Sequence, residues 1–76
     1  MAGEIDKRFG AFIRTLRLMR RWSQEALAKE AGIDRSFQGR IERGEVGVSL
    51  VMVESMAIAL KLSPAQLLLL MENGKH

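Results

Sequence analysis

Within the stretch SQEALAKEAGIDRSFQGRIERG, residues Ser23 to Gly44, four side chains stand at spacings that matter chemically. Arg35, Ser36, Arg40 and Arg43 would lie on or near one side of a single helix, with Gly39 among them, while Phe37 and Ile41 (i, i+4) pack behind. Arginine presents five N–H donors in a rigid fork that matches paired acceptors such as phosphate oxygens or the O6/N7 edge of guanine. This is binding chemistry, and little in the chain suggests turnover. There is no cysteine, no tyrosine, and no carboxylate pair or phosphate loop in a catalytic context, so an enzyme is not expected. The single histidine, His76, is terminal, with no second imidazole or thiol to join it, so neither a metal site nor a cofactor is expected.

The elements that must position these side chains are short and helical. Ser23 is an N-cap type, Gln24 to Ala31 form one helical pattern, Gly32 is a stop, and Asp34 caps a second helix of about Arg35 to Arg43. The arrangement reads as a helix-turn-helix. Before it, Ile5, Phe9, Phe12, Ile13, Leu16 and Met19 recur at helical spacing, with Lys7, Arg8, Arg14, Arg17, Arg20 and Arg21 on the other faces. Gly10 inside this helix should weaken it by about 1 kcal/mol relative to alanine, with no evident return. Trp22, just before the cap, is placed to staple onto the next helix near Leu27.

After Gly44 comes a loop, residues 45–48, then Ser49 as a cap and a helix of about Leu50 to Leu60. Leu50, Val53, Ala57 and Leu60 form its stripe; Val51, Met52, Met56 and Ile58 fall outside it, more apolar surface than a lone surface helix needs. Ser63-Pro64 opens a last helix, with Gln66 completing a capping box. Leu67 to Leu70 sweep about 300° of that helix, so they cannot all face one core. Glu72 to His76 read as a frayed tail.

At 76 residues the chain is expected to be a single domain, residues 1–76. Apolar residues at 47%, a single proline and an excess of helix formers point to an all-α, compact five-helix bundle. Residues 7 to 43 carry ten basic side chains against four acidic ones, whereas the rest of the chain is net negative. Such a concentrated field favours a polyanionic partner, although a solvated helical surface has the same pattern. The run LLLLM at Leu67 to Met71 is far shorter than the roughly 20 residues needed to cross a bilayer, and a membrane partner is not expected. The charged start MAGEIDKRFG has no signal-peptide core, which together with the absence of cysteine makes a cytoplasmic location the expectation.

S-Q-E-x-L-A, then A-G-I-D-R-S-F, then R-I-E-R-G, followed by S-L and A-x-A-L, resembles the phage-repressor/Cro-type helix-turn-helix family, also called XRE-like. That family includes the small controller proteins of restriction-modification systems. The resemblance covers about Phe12 to Leu68, with the motif proper at 24–43. It implies a lambda-repressor-like DNA-binding domain. Gln24 would contact the phosphate backbone, Arg35, Ser36 and Arg40 would face the major groove, and Arg43 would reach phosphate. It also implies a buried ion pair between Arg17 and Glu42.

Gln38 and Gly39 depart from the family pattern, which has isoleucine or valine at the first position and serine or a larger polar residue at the second. Burying an unpaired amide costs about 1 to 3 kcal/mol. Gln38 is therefore satisfied by a backbone partner, left partly exposed by a rotated or frayed helix, or turned to DNA as an additional reader; Gly39 would permit close approach to the duplex.

The function expected is that of a sequence-specific double-stranded DNA-binding transcription regulator of a bacterial or phage kind, with no small-molecule effector evident. It would act as a homodimer on a roughly palindromic operator, joined through the surplus apolar residues Val51, Ile58, Leu69, Leu70 and Met71. A restriction-modification controller is a fitting subtype. The alternative is an antitoxin or adaptor using the same fold to bind another protein through its C-terminal leucines.

Overall fold

A computed structural model describes residues 3–74; the expectation concerning His76, and the last part of the expected tail, lie outside them. Five helices follow in order: α1 (Glu4–Met19), α2 (Gln24–Ala31), α3 (Arg35–Glu42), α4 (Leu50–Ala59) and α5 (Pro64–Asn73). The all-α, five-helix expectation is borne out, with each helix start within about a residue of its sequence-derived place.

Local chemistry explains where the helices start. The Ser23 hydroxyl accepts from the Ala26 amide at 3.0 Å, the Asp34 carboxylate accepts from the Ser36 and Phe37 amides, and Ser49 accepts from Met52 at 3.1 Å. Ser63 and Gln66 form a reciprocal capping box, at 3.0 and 2.8 Å. Each contact satisfies an amide that the first turn of a helix leaves without a partner.

The core draws on all five helices: Phe9, Ile13 and Leu16 from α1, Leu27 from α2, Ile41 from α3, Met52, Val53, Met56 and Ala57 from α4, and Leu67 and Met71 from α5. Trp22 is half-buried against it. The contact of α1 with the end of α3 depends on two glycines. A Cβ on Gly10 would stand 2.1 Å from the Ile41 carbonyl oxygen, so Gly10 lets two helix backbones touch, and this close approach is its return for the lost helix propensity. Gly44 has φ +73°, and a Cβ there would meet the Lys7 Cα at 2.7 Å. Asp6 completes this junction, accepting from the Gly3 amide and, across the fold, from the Val48 amide, each at 2.7 Å.

Three sequence expectations need correction. The α4 stripe is rotated: Leu50 is 84% exposed, while Met52 and Met56 are buried, because α4 packs against both α2 and α5 and buries a wider face than one stripe. Met71 is only 7% exposed. It lies one turn after Leu67 on the same side of α5 and belongs to the core, so it is not available to a dimer interface. Glu72 and Asn73 are not a frayed tail but the last turn of α5, and Glu72 accepts from Arg8 Nη2 at 3.0 Å.

Candidate nucleic-acid interface

The helix-turn-helix face is built on a buried polar junction. Arg17, from α1, donates through Nε to Glu42 Oε2 at 2.8 Å and through Nη2 to Glu42 Oε1 at 3.0 Å. Its third nitrogen, Nη1, donates to the Trp22 carbonyl at 2.8 Å and so ties down the chain entering α2. Glu42 accepts two further bonds, from Gln24 Nε2 at 3.2 Å and Gln38 Nε2 at 2.8 Å. Four donors on two carboxylate oxygens thus join α1, α2 and α3 at one point. Burial pushes the Glu42 carboxyl up, but the hydrogen bonds from Arg17, Gln38 and Gln24, with the Arg17 charge, outweigh it and hold the group below its ordinary value.

Above this junction α3 divides by exposure. Ile41, Glu42, Gln38 and Gly39 are buried; Arg35, Ser36, Arg40 and Arg43 are exposed. Arg35 lies in the first turn of α3, and Ser36 and Arg40 stand one turn apart. The Ser36 hydroxyl donates to the Asp34 carboxylate, which with the Phe37 amide lowers the Asp34 pKa. Donation to Asp34 leaves the Ser36 oxygen as an acceptor toward solvent. Arg43 is the C-cap residue and pairs with Glu45.

The structure removes Gln38 from the set of candidate DNA contacts. It is 0% exposed and points inward, because the i+4 spacing sets its amide beside Glu42. Its partner is a side chain, not the backbone, and its Oε1 is the buried side-chain polar atom, among the described residues, that has no hydrogen-bond partner. Gly39 is likewise covered in the free protein, by the Arg43 and Gln24 side chains lying over it. Gln24 stays half-exposed at the start of α2, with one donor committed to Glu42.

On α4 and α5, Val51 at 72%, Ile58 at 62%, Leu69 at 61% and Leu70 at 45% are exposed. Leu50, expected in the core stripe of α4, is exposed as well. An apolar hollow of about 150 Å³ between α3 and α4, lined by Phe37, Ile41, Val51 and Met52 among others, adjoins this surface. Among the described residues no single helix is long and apolar enough to cross a membrane.

The sequence pattern of the helix-turn-helix domain family matches residues 8–70, most of the chain. The chain belongs to the helix-turn-helix domain family. Within that family it is similar to the control protein C.BamHI of Bacillus amyloliquefaciens, with 39% identity over 69 residues, 90% of this chain and 85% of the relative. The crystal structure of the restriction-modification controller protein C.AhdI from Aeromonas hydrophila superposes with a TM-score of 0.79 at 42% identity, covering 86% of this chain and 98% of that one. A hypothetical transcription factor of Neisseria meningitidis serogroup B is 40% identical over 57 residues; these are 75% of this chain but only 54% of that protein, so the chain spans about half of its length. The family resemblance seen in the sequence, including its restriction-modification branch, is borne out by these matches.

Proposed function

We propose that this helix-turn-helix protein is a sequence-specific, double-stranded DNA-binding transcription regulator, acting as a homodimer in the bacterial cytoplasm and belonging to the controllers of restriction-modification systems. The observation that carries this reading is the division of α3: an exposed edge of Arg35, Ser36 and Arg40 on a helix whose other side is locked to the core through Ile41 and Glu42. A helix fits the major groove, and each bidentate arginine–guanine pair gives roughly 1 to 3 kcal/mol of discrimination. The Gln24 and Arg43 side chains converge over Gly39, beside this edge, and are placed to reach the phosphate backbone. These contacts set the register without reading sequence.

The exposed apolar residues Val51 and Ile58 on α4 and Leu69 and Leu70 on α5 support the homodimer, because large apolar side chains left in solvent on two helices that pack together mark an interaction site on a small chain. Two-fold symmetry then sets paired recognition helices about 34 Å apart, on successive major grooves of a roughly palindromic operator. Similarity to two controller proteins supports the restriction-modification subtype. Selection of bound duplexes from a random pool tests the proposal. The expected product is a site with two related half-sites about one helical turn apart; a pool that stays random contradicts it.

A further inference from the structure

Arg43 is exposed at the end of α3, yet its guanidinium is held from two directions. Nε donates to Glu45 Oε2 at 2.8 Å and Nη2 donates to Glu45 Oε1 at 3.3 Å. Nη1 lies over Gly39, where a Cβ would stand 3.1 Å from it and 3.6 Å from Gln24 Oε1. The missing side chain at Gly39 and the carboxylate at Glu45 therefore favour the same pose. Glu45 occupies the Nε/Nη2 edge of the fork. The Nη1/Nη2 end, with one outward N–H on each nitrogen, remains for a second partner that offers two acceptors.

We propose that Glu45 is a positioning residue, holding Arg43 against Gly39 so that the Nη1/Nη2 end of the guanidinium meets a pair of acceptors on DNA. This inference rests on the DNA-binding reading above and gives a role to Gly39, where the chain departs from its family pattern. The acceptor pair is the O6/N7 edge of a guanine or two phosphate oxygens. Glu45 could instead act as a brake that competes with DNA for Arg43. The exposure of the pair argues against that role: an ion pair with side chains 58% and 48% exposed is too weak to withhold arginine from a polyanion. Even a weak pair biases the flexible side chain toward the pose that binds, and such ordering raises affinity by about 2- to 5-fold.

The two roles differ in sign. Removing a negative charge beside DNA should by itself tighten binding to every duplex. Positioning predicts the reverse: Glu45→Ala lowers affinity for the duplex selected by the parent chain by about 2- to 5-fold, and this loss disappears in an Arg43→Ala background. Gly39→Ala should also weaken binding, while its melting temperature stays level or rises because alanine favours the helix. Melting curves of each variant separate binding from folding. A second selection with Glu45→Ala identifies the acceptor. Loss of preference at one base pair per half-site indicates guanine; an unchanged preference with a shallower salt dependence indicates phosphate. A parent chain that discriminates among duplexes, with Glu45→Ala binding as tightly or more tightly, overturns this inference alone. A Gly39→Ala variant that binds like the parent overturns the part assigned to Gly39. A parent chain with no sequence preference overturns the DNA-binding reading and this inference together.

Discussion

Arg17 and Glu42 form a two-point ion pair, at 2.8 and 3.0 Å, that fastens the last turns of α1 to the end of α3 beneath the proposed reading surface. Both side chains are nearly inaccessible, so removing one leaves the other charged and buried. Glu42→Ala should therefore cost about 3 to 5 kcal/mol, not the 0 to 1 of an exposed pair. Urea unfolding checks this. A midpoint close to the parent's would mean that the junction does not brace the helix-turn-helix.

Gly10→Ala should destabilise although alanine is the better helix former. The added carbon would press on the Ile41 and Glu42 carbonyl oxygens, which are backbone atoms and cannot rotate away. Overpacking of this kind costs about 1 to 3 kcal/mol, against about 1 kcal/mol gained in propensity, so a net loss is expected by chemical denaturation. A stabilised variant would show that α1 and α3 are farther apart than described.

Acid should unfold the protein through a small set of carboxylates. The Val48 and Gly3 amides lower Asp6, the Ser36 hydroxyl and Phe37 amide lower Asp34, and Glu42 is lowered by its four donors in spite of burial. A carboxyl with a folded pKa below its unfolded value adds stability above the unfolded pKa, and that stability is lost as pH falls through the folded one. Urea midpoints should stay nearly level down to about pH 5 and then decline below about pH 4.5. Asp6→Asn should decline less steeply; an identical pH profile would show that the Val48 bond contributes nothing.

Charge placed on the exposed apolar surface should separate assembly from folding. Leu69→Glu and Val51→Glu should give folded monomers in sedimentation at tens of micromolar, where the parent is expected to be dimeric. Met71→Glu should unfold the chain instead, because Met71 lies in the core. A parent that sediments as a monomer at that concentration would contradict the dimer.

What could be read from the sequence was what neighbouring residues determine. The caps at Ser23, Asp34, Ser49 and Ser63 act over two or three positions, so the helix starts were legible to within about a residue. Contacts between helices were not. Gly10 looked like a defect until the Ile41 carbonyl proved to lie against it, and Leu50 and Met52 exchanged roles because α4 is packed on two sides. Gln38 shows the same limit at the candidate site: its inward turn depends on the Glu42 carboxylate, whose own burial depends on Arg17, 25 residues away in sequence. Arg35, Ser36 and Arg40 were legible as an exposed set because their spacing alone groups them on one side.

The central claim is that α3 reads duplex DNA, and a competition titration tests it most directly. The parent chain and the double variant Arg35→Ala/Arg40→Ala would be titrated at near-physiological salt against the duplex selected by the parent and against a scrambled duplex, then repeated across salt. The parent should prefer the selected duplex by about 10³-fold or more, and log affinity should fall linearly with log salt at a slope near −0.9 per phosphate neutralised. The double variant should lose most of that preference while remaining folded, since both arginines are exposed. Equal affinity of the parent for the two duplexes, or an undiminished preference in the double variant, would contradict the account.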